Sequence, residues 1–136
     1  MRNPLRVSFL VAIAVAATVF AVEKVTVAEL VKDPAKYDSK IVTLTGKAMK
    51  FKQKTSKAGN PYYNFKLVGK TDDDVISVYG RGKLDKELEN ETMVEVTGRF
   101  VKEKKVGEVT FKNEVDVTKD SSDAKTKDFG VKVKAK

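Results

Sequence analysis

Apolar and polar positions alternate along most of this chain. In residues 62–67 the order is Tyr-Tyr-Asn-Phe-Lys-Leu, so Tyr63, Phe65 and Leu67 fall on one side of an extended strand and Tyr62, Asn64 and Lys66 on the other. The first set predicts a core face and the second a solvent face. Residues 75–80 repeat the pattern, with Ile76 and Val78 inward and Ser77 and Tyr79 outward, which puts Tyr79 on the same outer face as Tyr62. Three more strands follow from the same rule. Residues 41–54 set Val42 and Leu44 against Thr43 and Thr45, residues 92–102 align Val94, Val96, Gly98 and Phe100, and residues 109–117 align Val109, Phe111, Asn113, Val115 and Val117. Gly46 and Gly98 interrupt two of these runs and predict bulges or bends that let one long strand serve two sides of a barrel. Beyond Gly46 the facing of Met49 and Phe51 is open, with core as the expected role.

The connections are legible from their turn chemistry. Thr26 and Glu29 have capping-box spacing and predict a short helix to Lys32, which Asp33-Pro34 ends. Tyr37, between Lys36 and Asp38, is expected to plug the domain with its ring. Residues 47–67 predict a hairpin with a long basic loop that Gly59, Asn60 and Pro61 close, and no acid interrupts the run from Lys47 to Lys66. Asp72, Asp73 and Asp74 lack the ligand spacing of a calcium loop and read as a solvated turn. Leu84 and Leu88 predict a short helix or ordered crossover in residues 81–90. Residues 118–136 are mainly Lys, Asp, Ser and Ala and predict a flexible basic tail. The Val-Lys-Val-Lys alternation of residues 131–134 has the period of a strand, but Gly130 and the terminal position argue against one.

Charge and composition narrow the function. Residues 1–21 have the parts of a signal peptide: Arg2 and Arg6, an apolar run over residues 7–20, and small residues near Ala21. The run is shorter than the roughly twenty residues a membrane-spanning helix needs. The expected divisions are residues 1–21 as signal peptide, 22–117 as one domain and 118–136 as tail, with export to the periplasm or the medium. Net charge is +8, with 27 Lys and Arg against 19 Asp and Glu, and only two of those cations fall in the signal. Such a balance favours polyanions and also suits plain solubility. There is no His, and the Cys count is 0, which removes disulfides, thiol and histidine catalysis and the usual zinc sites.

Five strands with bent first and fourth members, a long first loop and a crossover between the third and fourth describe an all-β, five-stranded Greek-key OB-fold barrel with a short N-terminal helix. Val-Thr-Leu-Thr-Gly-Lys-Ala from Val42, Gly-Asn-Pro-Tyr-Tyr-Asn-Phe-Lys-Leu from Gly59, Val-Ile-Ser-Val-Tyr-Gly from Val75 and Met-Val-Glu-Val-Thr-Gly-Arg-Phe from Met93 carry a resemblance. Over residues 25–117 the chain resembles bacterial OB-fold domains of the tRNA-anticodon-binding-like, nucleic-acid-binding class. The export signal departs from the intracellular members. The resemblance implies a ligand crossing the outer face of the second and third strands, gripped by the loops after the first and fourth. Those places hold Tyr62, Asn64, Lys66, Ser77, Tyr79 and Arg81 on the sheet, Lys52, Lys54 and Lys57 in the first loop, and Lys102, Lys104 and Lys105 in the second.

An aromatic platform flanked by lysines suits weak, largely sequence-independent binding of single-stranded DNA or RNA, or of another polyanion. A second expectation is an exported adaptor that binds a protein, an oligosaccharide or a small ligand on the same face. No cofactor, metal or catalytic role is expected: secreted nucleases on this barrel use acidic metal ligands and extra helices, and the haem chaperone of cytochrome maturation uses a haem-attaching His. Neither set is evident here.

Overall fold

The computed structural model describes residues 22–134; the expected signal peptide lies outside them. After strand β1 (Val22–Lys24), Thr26 caps helix α1 (Val27–Lys32). Its Oγ1 accepts the Glu29 N–H at 3.0 Å and the Glu29 carboxylate accepts the Thr26 N–H at 3.0 Å, the reciprocal pair that the spacing predicts. Val27 and Leu30, on one face of α1, are buried, and Tyr37 at the end of α2 (Pro34–Tyr37) is buried with them.

The strands are β2 (Ile41–Thr55), β3 (Pro61–Val68), β4 (Val75–Arg81), β5 (Thr92–Val106), β6 (Val109–Asp116) and β7 (Gly130–Val133). Pairings run from β2 to β3, β4, β6 and β5, and β5 pairs again with β2. All are antiparallel except β4 with β6. Two strands lie beyond this circuit, β1 parallel to β2 and β7 antiparallel to β5. The five expected strands are thus part of a seven-stranded sheet. Inside lie Val42, Leu44, Tyr63, Phe65, Leu67, Ile76, Val78, Val94, Val96, Phe100 and Val115, the positions that alternation assigns to the core. Fully burying a Val, Leu, Ile or Phe side chain contributes about 1.5–3 kcal/mol.

Three expectations change. Gly46 is not the bulge: pairing with β3 shifts between Met49 and Lys52, where Lys50 adopts φ 56° and donates its N–H to Asn90 Oδ1 at 3.0 Å. Gly46 is needed for close approach instead, since a Cβ there would stand 2.6 Å from the Val68 carbonyl oxygen. Gly98 acts similarly against the Asp116 carbonyl. The first loop is short, because β2 extends to Thr55 and leaves only residues 56–60, tied by Ser56 Oγ accepting the Asn60 N–H at 3.1 Å. Residues 81–90 take the second of the two expected forms, an ordered crossover without a helix, with Leu84 and Leu88 leaning on the core.

The third correction is the C-terminal segment. The expected disordered tail carries a 3-10 turn (Ala124–Thr126) and β7, with Phe129 and Thr126 buried. Thr126 Oγ1 accepts the Asp120 N–H and donates to the Asp120 carbonyl, both at 2.9 Å. Phe129 supplies the apolar anchor, and β5 supplies the pairing edge, with Val96 opposite Val131. Polar composition hid a segment whose order comes from a distant strand.

Candidate functional site

The Lys50 bulge decides what the outer face carries. Before it, Ala48 pairs with Leu67 and points inward; after it, Lys52 pairs with Asn64 and Lys54 with Tyr62. One extra residue has exchanged the faces, because side chains alternate with a period of two. Phe51 consequently turns inward, half-buried, with its ring stacked on Tyr63 at 5.9 Å and tilted to Phe65 at 6.4 Å. Lys52 and Lys54 turn outward, onto the face of Tyr62 and Asn64. Without the bulge, Lys50, Lys52 and Lys54 would all continue the inward phase of Ala48 and point at the core.

This face forms a groove of about 580 Å³. Its floor is Tyr62, Asn64 and Lys66 from β3 with Ser77 and Tyr79 from β4. Register explains the grouping, since Asn64 pairs with Tyr79 and Lys66 with Ser77. The Tyr62 and Tyr79 rings are diagonal neighbours, half-buried, with centroids 5.8 Å apart and a 39° tilt. Lys66 Nζ donates to Ser77 Oγ at 2.8 Å, which holds its charge at the floor. Lys50, Lys52, Lys54, Ser56 and Lys57 build one wall, and Lys104, Val106, Phe111 and Glu114 the other.

Six lysines therefore surround a single carboxylate, Glu114. Its side chain is 6% exposed and its Oε1 lies 2.6 Å from Lys104 Nζ. The same ammonium stands 4.6 Å from the Tyr79 ring centroid and 5.8 Å from that of Phe111. Sequence reasoning missed Glu114. It sits in the polar phase of its strand, and burial comes from parallel pairing with β4, which places it opposite Ser77. Phe111 was expected inward with Val115, but Asn113 at φ 52° breaks the alternation and leaves Phe111 40% exposed at the groove lip.

Of the expected site residues, Lys52, Lys54, Lys57, Tyr62, Asn64, Lys66, Ser77, Tyr79 and Lys104 line the groove, and Arg81, Lys102 and Lys105 do not. Lys105 follows Lys104 on the strand and projects to the opposite side. Lys102 lies by α2, its N–H donating to Asp38 Oδ1 at 2.9 Å. Arg81 ends β4, its N–H donating to Thr118 Oγ1 at 3.1 Å, and lines a separate polar cleft with Arg99, Asp116 and Asp120. Hydrogen bonds from the Ser122 hydroxyl and N–H, helped by the Arg81 charge, hold the Asp120 carboxyl below its ordinary range. Beneath the groove, burial, aided by the Asp116 charge, pushes the Tyr63 phenol up to about 12.

The arrangement can stack a flat ring against tyrosine and neutralise several negative charges along its length. No protein-family model matches the chain, and no curated protein matches it. Among solved structures, the chain is similar to the OB domain of a Thermoplasma acidophilum protein determined by solution NMR, at 13% identity and a TM-score of 0.46 over 82% of this chain and 87% of that one.

Proposed function

We propose that this chain is a non-catalytic, exported binding module of the OB type that holds single-stranded nucleic acid weakly in the groove between β2–β3 and β5–β6. The observation that carries the reading is the paired Tyr62 and Tyr79 rings on a floor edged by lysines. Stacking of a base on an aromatic ring contributes about 1–3 kcal/mol, and lysines add attraction to phosphates that any sequence provides. The circuit from β2 through β3, β4, β6 and β5 back to β2 supports the OB reading, with β1 and β7 as additions. Export rests on the signal pattern of residues 1–21, and the non-catalytic reading on the missing His and Cys.

Fluorescence anisotropy against a labelled single strand across a salt series tests it. Lys50, Lys52, Lys54, Lys57 and Lys66 carry charges not committed to an ion pair within the groove. If all five meet phosphates, log K falls against log salt with a slope of about −3.5, using the single-strand coefficient. Absence of binding at low salt would sink the proposal. The exposed Val106 and Phe111 at the lip favour a second reading, an adaptor for a protein or other partly apolar ligand. That reading predicts binding with little salt dependence.

A further inference from the structure

We propose that the Tyr79 end of the groove is a guanine subsite, read by Glu114 and Lys104; this rests on the nucleic-acid reading above. Lys104 now occupies the place over Tyr79 where a stacking ring would lie, while Tyr62 packs against the same ring. A base that stacks there moves the ammonium aside and takes away the hydrogen bond that Lys104 gives Glu114. A carboxylate this deeply buried is costly without a donor. The entering base must therefore bring donors of its own, and the displaced ammonium needs an acceptor nearby.

The Watson–Crick edge of guanine has that order: N1–H and the N2 amino group side by side, with the O6 acceptor next to them. The carboxylate takes the two donors, and Lys104, on its flexible stem, takes O6. Adenine and cytosine offer one amino group beside an acceptor nitrogen that faces the carboxylate. Thymine and uracil flank their single donor with two carbonyls. A site built to hydrogen-bond one edge rejects others because its buried groups are left unpaired. A protein arginine would also satisfy Glu114 and stack on Tyr79, but the five other lysines around the groove repel a cationic segment.

Anisotropy on the full chain, with three labelled strands of equal length, tests the subsite. One strand is all thymidine, one carries a central guanine, and one carries a central inosine, which lacks the N2 amino group. The guanine strand is expected to bind about tenfold more tightly than thymidine, with inosine between them. Glu114→Gln is expected to bring the guanine and thymidine strands to equal affinity. Equal affinity of the wild-type protein for guanine and thymidine strands overturns the subsite and leaves the nucleic-acid reading standing. Binding of none of the strands overturns both. An arginine-rich peptide that binds more tightly than every strand overturns the subsite in favour of a protein partner.

Discussion

The two walls of the groove are built from the same kind of hairpin and do different things. On the β2–β3 side, Lys50, Lys52, Lys54 and Lys57 form a wall that holds no carboxylate. Such a wall attracts any polyanion and distinguishes none. On the β5–β6 side a single ammonium is held by the buried Glu114 and flanked by Tyr79 and Phe111. That wall contributes little net charge but has shape, polarity and a hydrogen-bonding requirement. On the proposed reading, affinity and selection fall on opposite sides of one cleft, and each should be alterable without the other.

The largest effect is expected from the lysine wall. Replacing Lys52, Lys54 and Lys57 together by Gln should flatten the salt slope from about −3.5 to about −1.4 and weaken low-salt binding by roughly a hundredfold or more. A slope left unchanged would break the division between the walls. Next comes the floor on which both walls stand. Tyr62→Ala with Tyr79→Ala should cost about thirtyfold or more in affinity while keeping the salt slope, since two stacked bases contribute about 2–6 kcal/mol. A folded double mutant with wild-type affinity would remove stacking from the account.

The inner side of β3 separates groove from fold. Burial, aided by the Asp116 charge, pushes the Tyr63 phenol up to about 12 from its ordinary value of 10.0. Its neutral form is favoured by folding, so this contribution is complete below pH 10 and is lost as pH rises from about 10 towards 12. About 2–3 kcal/mol of stability should disappear in that window, read by urea unfolding at several alkaline pH values. Tyr63→Phe should abolish that part of the alkaline loss. The smallest effect sharpens the boundary of the selective wall. Lys102→Ala and Lys105→Ala, whose side chains lie off the groove, should leave strand affinity within about twofold at moderate salt, and a larger loss would extend the site around β5.

How much of this was legible in the sequence follows from the range of each interaction. The faces of β3 and β4 and the α1 cap depend on residues a few positions apart, and period and spacing reported them correctly. The position of the bulge did not, because Gly46 and Lys50 both stand in the run and it is Asn90, forty residues on, that holds Lys50 in its unusual backbone conformation. Glu114 was invisible for the same reason: its burial is created by β4 and Lys104, neither adjacent in sequence. In the C-terminal segment the Val131–Val133 alternation was visible but Gly130 and the terminal position argued against it, because β7 draws its order from the buried Phe129 beside it and from pairing with β5. Lys52, Lys54 and Lys57 of the first wall were expected from the basic run and the family resemblance, while Lys50 was not, and it is the bulge that brings the strand lysines to the tyrosines.

Strand β5 spans Thr92–Val106, and its two halves answer to different neighbours. The first pairs with β2 and β7 around the core, and the second runs out with β6 to the lip of the groove. The selective wall is therefore an overhang of a core strand, free to change length where no core residue depends on it. Growth there is quantised by the pleat. Adding one residue to each strand at the tip would leave Lys104 and Glu114 in place, whereas inserting a single residue between Phe100 and Lys104 would exchange the faces beyond it and swing Lys105 towards the tyrosines. Such a module can acquire new ligands by lengthening one hairpin, with the interior of the protein left as it is.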